Sequence, residues 1–271
     1  MAVTTSQQIS RYYQQFQSVD LTFTKEVARV VNLNPRQIFL KCLGYQWPCI
    51  IYSSSMVGAK VITNLQQSLK DAMAKSKNLV SLRYSFIQRD KPDPIAFFVS
   101  SKVVGVSPYG DPQKGLTFLT LQYTQRPPDD LIEAVGNVLE ANVAAARRAE
   151  ERIVIAPDVS KRLHLASKGA LVVINNVPRS GLLRDISFGG LKLILQGVPQ
   201  MLVEKDIAVR LEFDEPRETV SIPGRIVRFE AVQGRTDMAA FAVQFQEDAV
   251  PVSYKMRLAE FMRGRRRPKA E

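Results

Sequence analysis

The sequence has very little of the residues on which metal binding and acid–base catalysis depend. Its 271 residues include one histidine, His164, and two cysteines, Cys42 and Cys49. A zinc site needs three or four ligands, and histidine is the most frequent general base. The sequence therefore has too few of these residues for a zinc site or for histidine-based acid–base catalysis. Each cysteine lies in an apolar, strand-like run, so we expect a reduced, buried pair and neither a disulfide nor a metal site. The composition therefore argues against an enzyme.

Long apolar runs are also absent. No segment approaches the ~18 apolar residues that a membrane-spanning helix requires. Residues 1–12 contain no basic region followed by an apolar core, so we predict no signal peptide. A hydrophobic fraction of 45% and a charged fraction of 23% are typical of a soluble globular protein. We expect a cytoplasmic protein with no membrane insertion, long enough for two domains.

Acidic residues are scarce in the first half of the chain. The net charge is +9 for residues 1–128, −2 for residues 129–262 and +4 for residues 263–271. A basic excess can indicate an anionic partner such as nucleic acid or an acidic protein. A solvated basic surface with a frayed tail is the alternative, and composition leaves both open.

The hydrophobic pattern predicts a β-rich unit, a helix, and a second β-rich unit. In the first unit, alternating apolar residues predict strands at 21–24, 37–43, 47–52, 59–63, 80–88, 96–106 and 116–125. Helices are predicted at 5–17, 25–31 and 65–76, and turns at Gly44 and at 53–58. Prolines end this unit, and apolar spacing from Leu131 to Val143 predicts a helix. Further strands are predicted near Ile153, Val172, Leu182, Leu191, Val209, Ile226 and Phe241, followed by a final helix at 252–262 and a basic tail.

Two short motifs carry residues suited to a phosphodiester that bears guanines. The first is R-x-x-x-R, formed by Arg148 and Arg152, with Arg147 directly before it. Thirty-three positions beyond Arg152 begins D-x-S-x-x-G, formed by Asp185, Ser187 and Gly190, with Gly189 beside the last. Guanidinium groups bind phosphate oxygens or the guanine O6/N7 edge, and can stack on a base. A carboxylate accepts from the guanine N–H donors, and glycine permits a close backbone approach.

Together these motifs resemble those of the PilZ domain, a family of cyclic di-GMP receptors with the same letters in the same order. The resemblance implies that cyclic di-GMP is the ligand, that no cofactor is needed, and that the binding residues are Arg147, Arg148, Arg152, Asp185, Ser187, Gly189 and Gly190. In the family, an arginine directly before the first motif accompanies the binding of two stacked ligands, whereas a solvent-facing arginine is the alternative. The alternative to the whole assignment is a solvated helix end followed by an unrelated turn.

The two halves of the sequence also repeat each other in order. Residues 51–60 align with 183–192, residues 82–86 with 209–213, and residues 118–123 with 241–245. This predicts two related β-barrels, with chance similarity of β-rich segments as the alternative. Ser53 stands where the second half has Asp185, so we do not expect the first barrel to bind the nucleotide by itself. Lys25 and Arg29 could be a relic of the arginine pair.

The layout is similar to that of the two-domain spirochaetal PilZ receptors of the PlzA type, and more generally of flagellar-brake PilZ proteins. The resemblance implies a mainly β fold with flanking helices, in which two tandem PilZ-like β-barrels are joined by a linker helix. The expected division is an N-terminal barrel without motifs at 1–126, a linker helix at 127–146, and a PilZ domain with a basic tail at 147–271.

The functional hypothesis is a non-catalytic bacterial receptor. Closure of the arginines over the second motif would move the linker helix and rearrange the two domains, with an output in motility, virulence or gene expression. The partners would be cyclic di-GMP and an unidentified downstream protein or nucleic acid, and a monomer is favoured. Two alternatives remain: a nucleic-acid-binding protein acting through the basic first domain and the arginine-rich tail, and a structural protein with an inactive PilZ domain.

Overall fold

The computed structural model describes residues 4–88, 91–110 and 115–266. The chain divides into two compact units, Met1–Leu139 and Glu140–Glu271. Each unit contains a closed six-stranded antiparallel β-barrel, with helices flanking it and one helix that begins in the first unit and ends in the second. The prediction of a mainly β fold with two tandem barrels is confirmed.

The first barrel closes through strands that are mostly neighbours in the sequence. Its elements are α1 (Ser6–Gln15), β1 (Leu21–Thr22), α2 (Lys25–Val30), β2 (Phe39–Cys42), β3 (Tyr45–Ser54), β4 (Gly58–Asn64), α3 (Gln67–Lys75), β5 (Leu79–Phe86), β6 (Ile95–Pro108) and β7 (Leu116–Tyr123). The barrel order is β3-β2-β5-β6-β7-β4, closed by a β3–β4 pairing, and β1 adds to the edge of β3. Helix α4 (Asp129–Arg147) follows.

The second barrel has the same topology. Its elements are β8 (Ile153–Val154), α5 (Pro157–Arg162), β9 (Gly169–Ile174), β10 (Val177–Ile186), β11 (Gly190–Gln196), α6 (Pro199–Leu202), β12 (Asp206–Asp214), β13 (Arg217–Val232), β14 (Arg235–Phe245) and α7 (Val252–Arg266). The order is β10-β9-β12-β13-β14-β11, closed by a β10–β11 pairing, with β8 on β10. Alternation along β12 buries Val209, Leu211 and Phe213 inside the barrel, as the period of two in a strand requires.

The two units follow the same backbone path, and from β1 to β4 and β8 to β11 the shift along the sequence is constant. Leu21 lies opposite Ser54 in the β1–β3 pairing, and Ile153 lies opposite Ile186 in the β8–β10 pairing, 132 positions later in each strand. A bulge interrupts the β3–β4 register between Ile51 and Ser53, and the β10–β11 register at the equivalent place. The predicted repeat is therefore confirmed in register for residues 51–60 and 183–192. The alignment of 118–123 with 241–245 starts one position out, because Leu119, and not Phe118, is the equivalent of Phe241.

The core of the first barrel contains a cluster of three hydroxyl groups. In the first barrel the Tyr84 and Tyr123 hydroxyls are 2.7 Å apart, and both contact the Ser54 hydroxyl, at 3.1 Å and 2.9 Å. All three side chains are buried. Burial raises the pKa of Tyr123 to about 12, and that of Tyr84 well above its ordinary value. These phenols are therefore neutral hydrogen-bonding groups inside the folded barrel.

Two local predictions are wrong. The last helix continues to Arg266 and does not end at Met262, because Arg263 pairs with Glu140 at 3.0 Å and Arg265 lies over the Phe261 ring. The rest of the predicted basic tail, 267–271, lies outside the described residues. Ser53 and Ser54 belong to strand β3, because they pair with β1 and β4, so the turn is shorter than predicted.

Lys25 and Arg29 are not a relic of the arginine pair. They lie on α2, whose equivalent in the second unit is α5. Since Leu21 is equivalent to Ile153, the first-unit equivalents of Arg148 and Arg152 are Phe16 and Asp20. The sequence alignment could not find these residues because Phe16 is apolar and Asp20 has the opposite charge.

The remaining composition-based expectations concern cysteines and membrane segments. Cys42 and Cys49 are both buried free thiols, as predicted. In the described part of the chain, no helix has the combination of length and apolar character needed to cross a membrane.

Candidate functional site

The two sequence motifs meet through the short pairing of β8 with β10. Asp185 lies opposite Val154, and Ile186 lies opposite Ile153, so Arg152 emerges beside the Asp185 carboxylate. Arg152 Nη1 lies 2.5 Å from Asp185 Oδ1, with side chains 33% and 15% exposed. The first motif's last residue and the second motif's first residue thus form a partly exposed, charge-assisted hydrogen bond.

Arg147 and Arg148 lie at the C-terminal end of helix α4. Arg147 is the last helical residue and is exposed, while the Arg148 N–H still donates to the Ala144 carbonyl at 3.0 Å. The Arg148 side chain is partly buried, with Nε 3.8 Å from Glu151 Oε2 and Nη1 3.9 Å from Met262 Sδ. Basic residues at this position also interact favourably with the negative end of the helix dipole.

Ser187 and Gly190 close the turn between β10 and β11. The Ser187 N–H and hydroxyl both donate to the Gly190 carbonyl, at 2.7 Å and 3.1 Å. Ser187 is only 1% exposed, so in this structure its hydroxyl serves the turn. The turn presents Asp185 at its entrance and Gly189 near its tip.

Gly189 links this turn to the arginine segment. Its N–H donates to the Ala149 carbonyl at 3.0 Å, and Ala149 lies directly after Arg148. A side chain at Gly189 would begin 3.2 Å from that same carbonyl oxygen. The backbone contact therefore holds the arginine segment against the turn independently of the Arg152–Asp185 ion pair.

Gly190 is required by the barrel itself. A Cβ atom at this position would overlap the carbonyl oxygen of Val243 on β14. The equivalent Gly58 meets the Leu121 carbonyl on β7 in the same way. Because the glycine is present in both barrels, its physical role is the close approach of two strands. The presence of this glycine is therefore explained without a ligand, although the sequence analysis assigned it to the binding site.

Tyr254 is a site neighbour that the sequence analysis missed. Its hydroxyl donates to the Ser187 carbonyl at 2.7 Å, and the side chain is completely buried. Burial raises the pKa of Tyr254, and the nearby Arg152 lowers it by a smaller amount. Nothing in the local pattern distinguishes this tyrosine from an ordinary core residue of helix α7.

Further charges flank the second motif. Lys192, which lies opposite Asp185 on β11, pairs with Glu230 at 2.8 Å. The hydrogen bond from Lys192 lowers the pKa of Glu230, so this lysine's charge is already matched. Arg184 is exposed. The positive field of the site therefore comes mainly from the three arginines of the first motif segment and from Arg184.

The first barrel lacks these charges at the equivalent positions. In the order Arg147, Arg148, Arg152 and Asp185, it carries Gln15, Phe16, Asp20 and Ser53. Phe16 is 3% exposed, so an apolar ring is buried where the second unit has an arginine. At these four positions the first barrel therefore has no group that would bind a phosphate, although it has the same turn.

Metal clusters and cavities are the other features that could bind a ligand. The described residues contain no cluster of three or more His, Cys, Asp or Glu side chains arranged to hold a metal ion. A cavity of about 730 Å³ lies around α6, lined by residues that include Arg179, Met201 and Lys205. It contains none of the motif residues.

Comparison with known proteins identifies domain families in both halves. The model of the PilZN3 domain matches residues 7–142, and the model of the PilZ domain matches residues 146–264. A Treponema denticola protein described as a cyclic di-GMP binding protein is 41% identical over 271 residues, covering 100% of this chain and 86% of its own length.

Two solved structures also align with most of the chain. One is the Borreliella burgdorferi PlzA protein in complex with c-di-GMP, at 25% identity and a TM-score of 0.43, covering 94% of this chain and 98% of that chain. The other is Escherichia coli YcgR in complex with c-di-GMP, at 14% identity and a TM-score of 0.30, covering 94% and 95%. Both TM-scores are low, so the family assignment rests on the sequence matches.

Proposed function

The chain belongs to the PilZ family, as a PlzA-type protein with a PilZN3 domain followed by a PilZ domain, and we propose that it is a receptor for cyclic di-GMP. The observation that carries the proposal is the contact between Arg152 and Asp185, which joins the two sequence motifs at one place on the second barrel. The 41% identical relative that is described as a cyclic di-GMP binding protein supports the choice of ligand.

The proposed binding mode uses the arginines for phosphate and the carboxylate for guanine. Arg148 and Arg152 bind phosphate oxygens through bidentate charge-assisted bonds. Asp185 accepts from the guanine N–H donors, an interaction that competes with its contact to Arg152. That contact is partly exposed and therefore weak, on the order of 1 kcal/mol or less, so the ligand can replace it. The ion pair positions both groups and does not block the site.

The turn residues have a shaping role in this proposal. Ser187 and Gly190 hold the turn in one conformation, and Gly189 fixes the arginine segment against it through the Ala149 carbonyl. The ligand contacts expected from them are therefore through the backbone. Arg147, exposed at the end of α4, is proposed to contact a second ligand molecule stacked on the first.

The proposed output is a rearrangement of the two domains. Ligand binding fixes the arginine side chains of the segment between Arg147 and Arg152, which directly continues helix α4. Because α4 begins in the first unit, a change at its C-terminal end can be transmitted along a rigid element. In this account residues 1–126 form the responding domain, 127–146 the linker helix and 147–271 the ligand-binding domain, which controls motility or gene expression without catalysis.

A calorimetric titration of the full chain with cyclic di-GMP tests the proposal, with Arg148→Ala as the variant and Arg235→Ala as the matched control. Arg235 pairs with Asp237 in the exposed β13–β14 hairpin and has no place in the site. We expect saturable binding by the wild-type chain and the control, and its loss in Arg148→Ala. Equal affinity in all three proteins would refute the assignment of the site.

A second candidate function for the first barrel is binding of single-stranded nucleic acid. Three cations there lie over aromatic rings: Lys41 over Phe98 at 5.2 Å, Lys60 over Phe118 at 5.5 Å, and Arg83 over Phe39 at 5.9 Å. Phe39, Arg83 and Phe98 are direct cross-strand neighbours, and Phe98 is 42% exposed. Aromatic rings beside cations are the surface on which bases stack.

The two functions are distinguished by salt and by substitution. Binding of a labelled oligonucleotide should weaken steeply as salt rises, and should be reduced by Phe98→Ala but not by Arg148→Ala. Cyclic di-GMP binding should be lost in Arg148→Ala and unchanged in Phe98→Ala. An oligonucleotide affinity that is unchanged in Phe98→Ala would exclude this surface.

A further inference from the structure

Helix α7 holds the turn of the second motif through one buried hydroxyl. Ser187 uses its N–H and its hydroxyl within the turn, and its carbonyl accepts from Tyr254 at 2.7 Å. The Tyr254 ring packs edge-on against Phe245, at 5.9 Å between centroids, and the Phe245 N–H donates to the Gly189 carbonyl at 2.9 Å. Tyr254 thus ties the turn to an element outside it, both directly and through Phe245.

The same helix contacts the arginine segment. Met262 Sδ lies 3.9 Å from Arg148 Nη1, and one residue later Arg263 pairs with Glu140 of α4 at 3.0 Å. Helix α7 is itself anchored at its centre, where Arg257 donates to the Glu215 carbonyl at 2.8 Å and lies 4.3 Å from the Phe213 ring centroid. The turn and Arg148 are therefore both in contact with one anchored helix.

The first unit provides an internal comparison for Tyr254. Helix α4 follows β7 as α7 follows β14, and Leu131 is the third residue of α4 as Tyr254 is the third residue of α7. Leu131 is completely buried and has no hydroxyl. In the first barrel the equivalent Ser55 carbonyl accepts instead from the adjacent Ser54 hydroxyl, at 3.2 Å. The unit that lacks the arginines and the carboxylate also lacks the tyrosine.

We propose that Tyr254 is a positioning residue of the ligand site, acting through Ser187 to fix the turn that carries Asp185 and meets Ala149. This inference rests on the proposed function and deepens it. The hydroxyl remains a donor at physiological pH, because burial raises its pKa. Without this bond the Ser187 carbonyl loses a buried partner, and the turn gains freedom that the ligand must remove when it binds.

The experiment compares the full chain with Tyr254→Phe and Tyr84→Phe. Both substitutions remove one fully buried tyrosine hydroxyl, but Tyr84 lies in the core of the first barrel. Calorimetry with cyclic di-GMP gives the affinity, and hydrogen exchange of the free proteins gives the local opening of residues 187–190. We expect Tyr254→Phe to bind about 3- to 10-fold more weakly, the factor for one buried hydrogen bond, with faster exchange confined to the turn. Tyr84→Phe should bind like the wild type.

A third variant, Tyr254→Leu, copies the residue of the first unit and should lose at least as much affinity while remaining folded. Wild-type affinity in Tyr254→Phe would overturn the inference and leave the proposed function intact. Equal weakening in Tyr254→Phe and Tyr84→Phe would also overturn it, because the effect would then be a general loss of stability. If the wild-type chain does not bind cyclic di-GMP, the proposed function and this inference both fail.

Discussion

The guanidinium of Arg152 contacts the carboxylate of Asp185, 33 positions further along the chain. The contact is enforced by the pairing of β8 with β10 and not by local sequence. It places the charges of both motifs on one small region of the second barrel. Because strand pairing within the barrel sets this geometry, the ordering that a bound ligand must impose is limited to side chains and to the segment around Arg148.

Asp185→Asn should separate the charge of this residue from its shape. The amide keeps the volume but loses the ion pair and part of its acceptor capacity for guanine. We expect cyclic di-GMP affinity to fall at least about 10-fold, with stability changed by less than about 1 kcal/mol because the pair is partly exposed. Calorimetry and urea unfolding measure the two quantities. Asp237→Asn, in the exposed pair with Arg235, is the control and should leave affinity unchanged.

Arg147→Ala should change the number of ligands bound. Arg147 is exposed and outside the Arg152–Asp185 contact, so one ligand can still bind to the remaining residues. If Arg147 holds a second stacked molecule, the calorimetric stoichiometry should fall from two ligands per chain to one. An unchanged stoichiometry would show that this arginine only faces solvent.

Gly190→Ala should destabilise the second barrel strongly, and Gly58→Ala should do the same to the first. In each case the added Cβ would overlap a backbone carbonyl of the adjacent strand, which cannot move without breaking the ladder. A loss of at least about 2 kcal/mol in the free energy of unfolding is expected, measured by thermal or urea denaturation. Gly44→Ala tests a different cause, because its Cβ would meet open space and only its positive φ would be strained.

Stability should fall steeply in alkaline solution. Burial raises the pKa of Tyr123 from 10.0 to about 12, and that of Cys49 from 9.0 to about 12, because the folded state favours their neutral forms. Their contribution to the free energy of unfolding is fully present below the pKa values that these groups have in the unfolded state. It is lost as the pH rises through about 9 to 12. Thermal midpoints measured across this range should decrease. Tyr123→Phe should flatten the decrease, and an identical pH profile in that variant would contradict the account.

Much of the fold was accessible from the sequence because strand alternation and turn residues are local signals. The strand of Leu116–Tyr123 and the hairpin turn at Gly44 follow directly from them. The sequence also indicated that the two motifs belong to one site, because their residue types together suit one ligand. The repeat between 51–60 and 183–192 was visible for the same reason, since both segments keep the serine and glycine of the turn.

The contacts between distant segments could not be predicted. The alignment did not identify Phe16 and Asp20 as equivalents of Arg148 and Arg152, because only the pairing of β1 and β8 with the barrels reveals this. Gly190 was attributed to the ligand, whereas the approach of β14 is visible only in three dimensions. Tyr254 gave no local signal at all. Its partner lies 67 positions earlier in the chain.

The most direct test of the central claim is a calorimetric titration of the full wild-type chain and Arg152→Ala with cyclic di-GMP under identical conditions. We expect saturable binding by the wild type and loss of binding in the variant, which lacks both the guanidinium that binds phosphate and the partner of Asp185. Absence of binding by the wild type, or binding of equal affinity by both proteins, would contradict it.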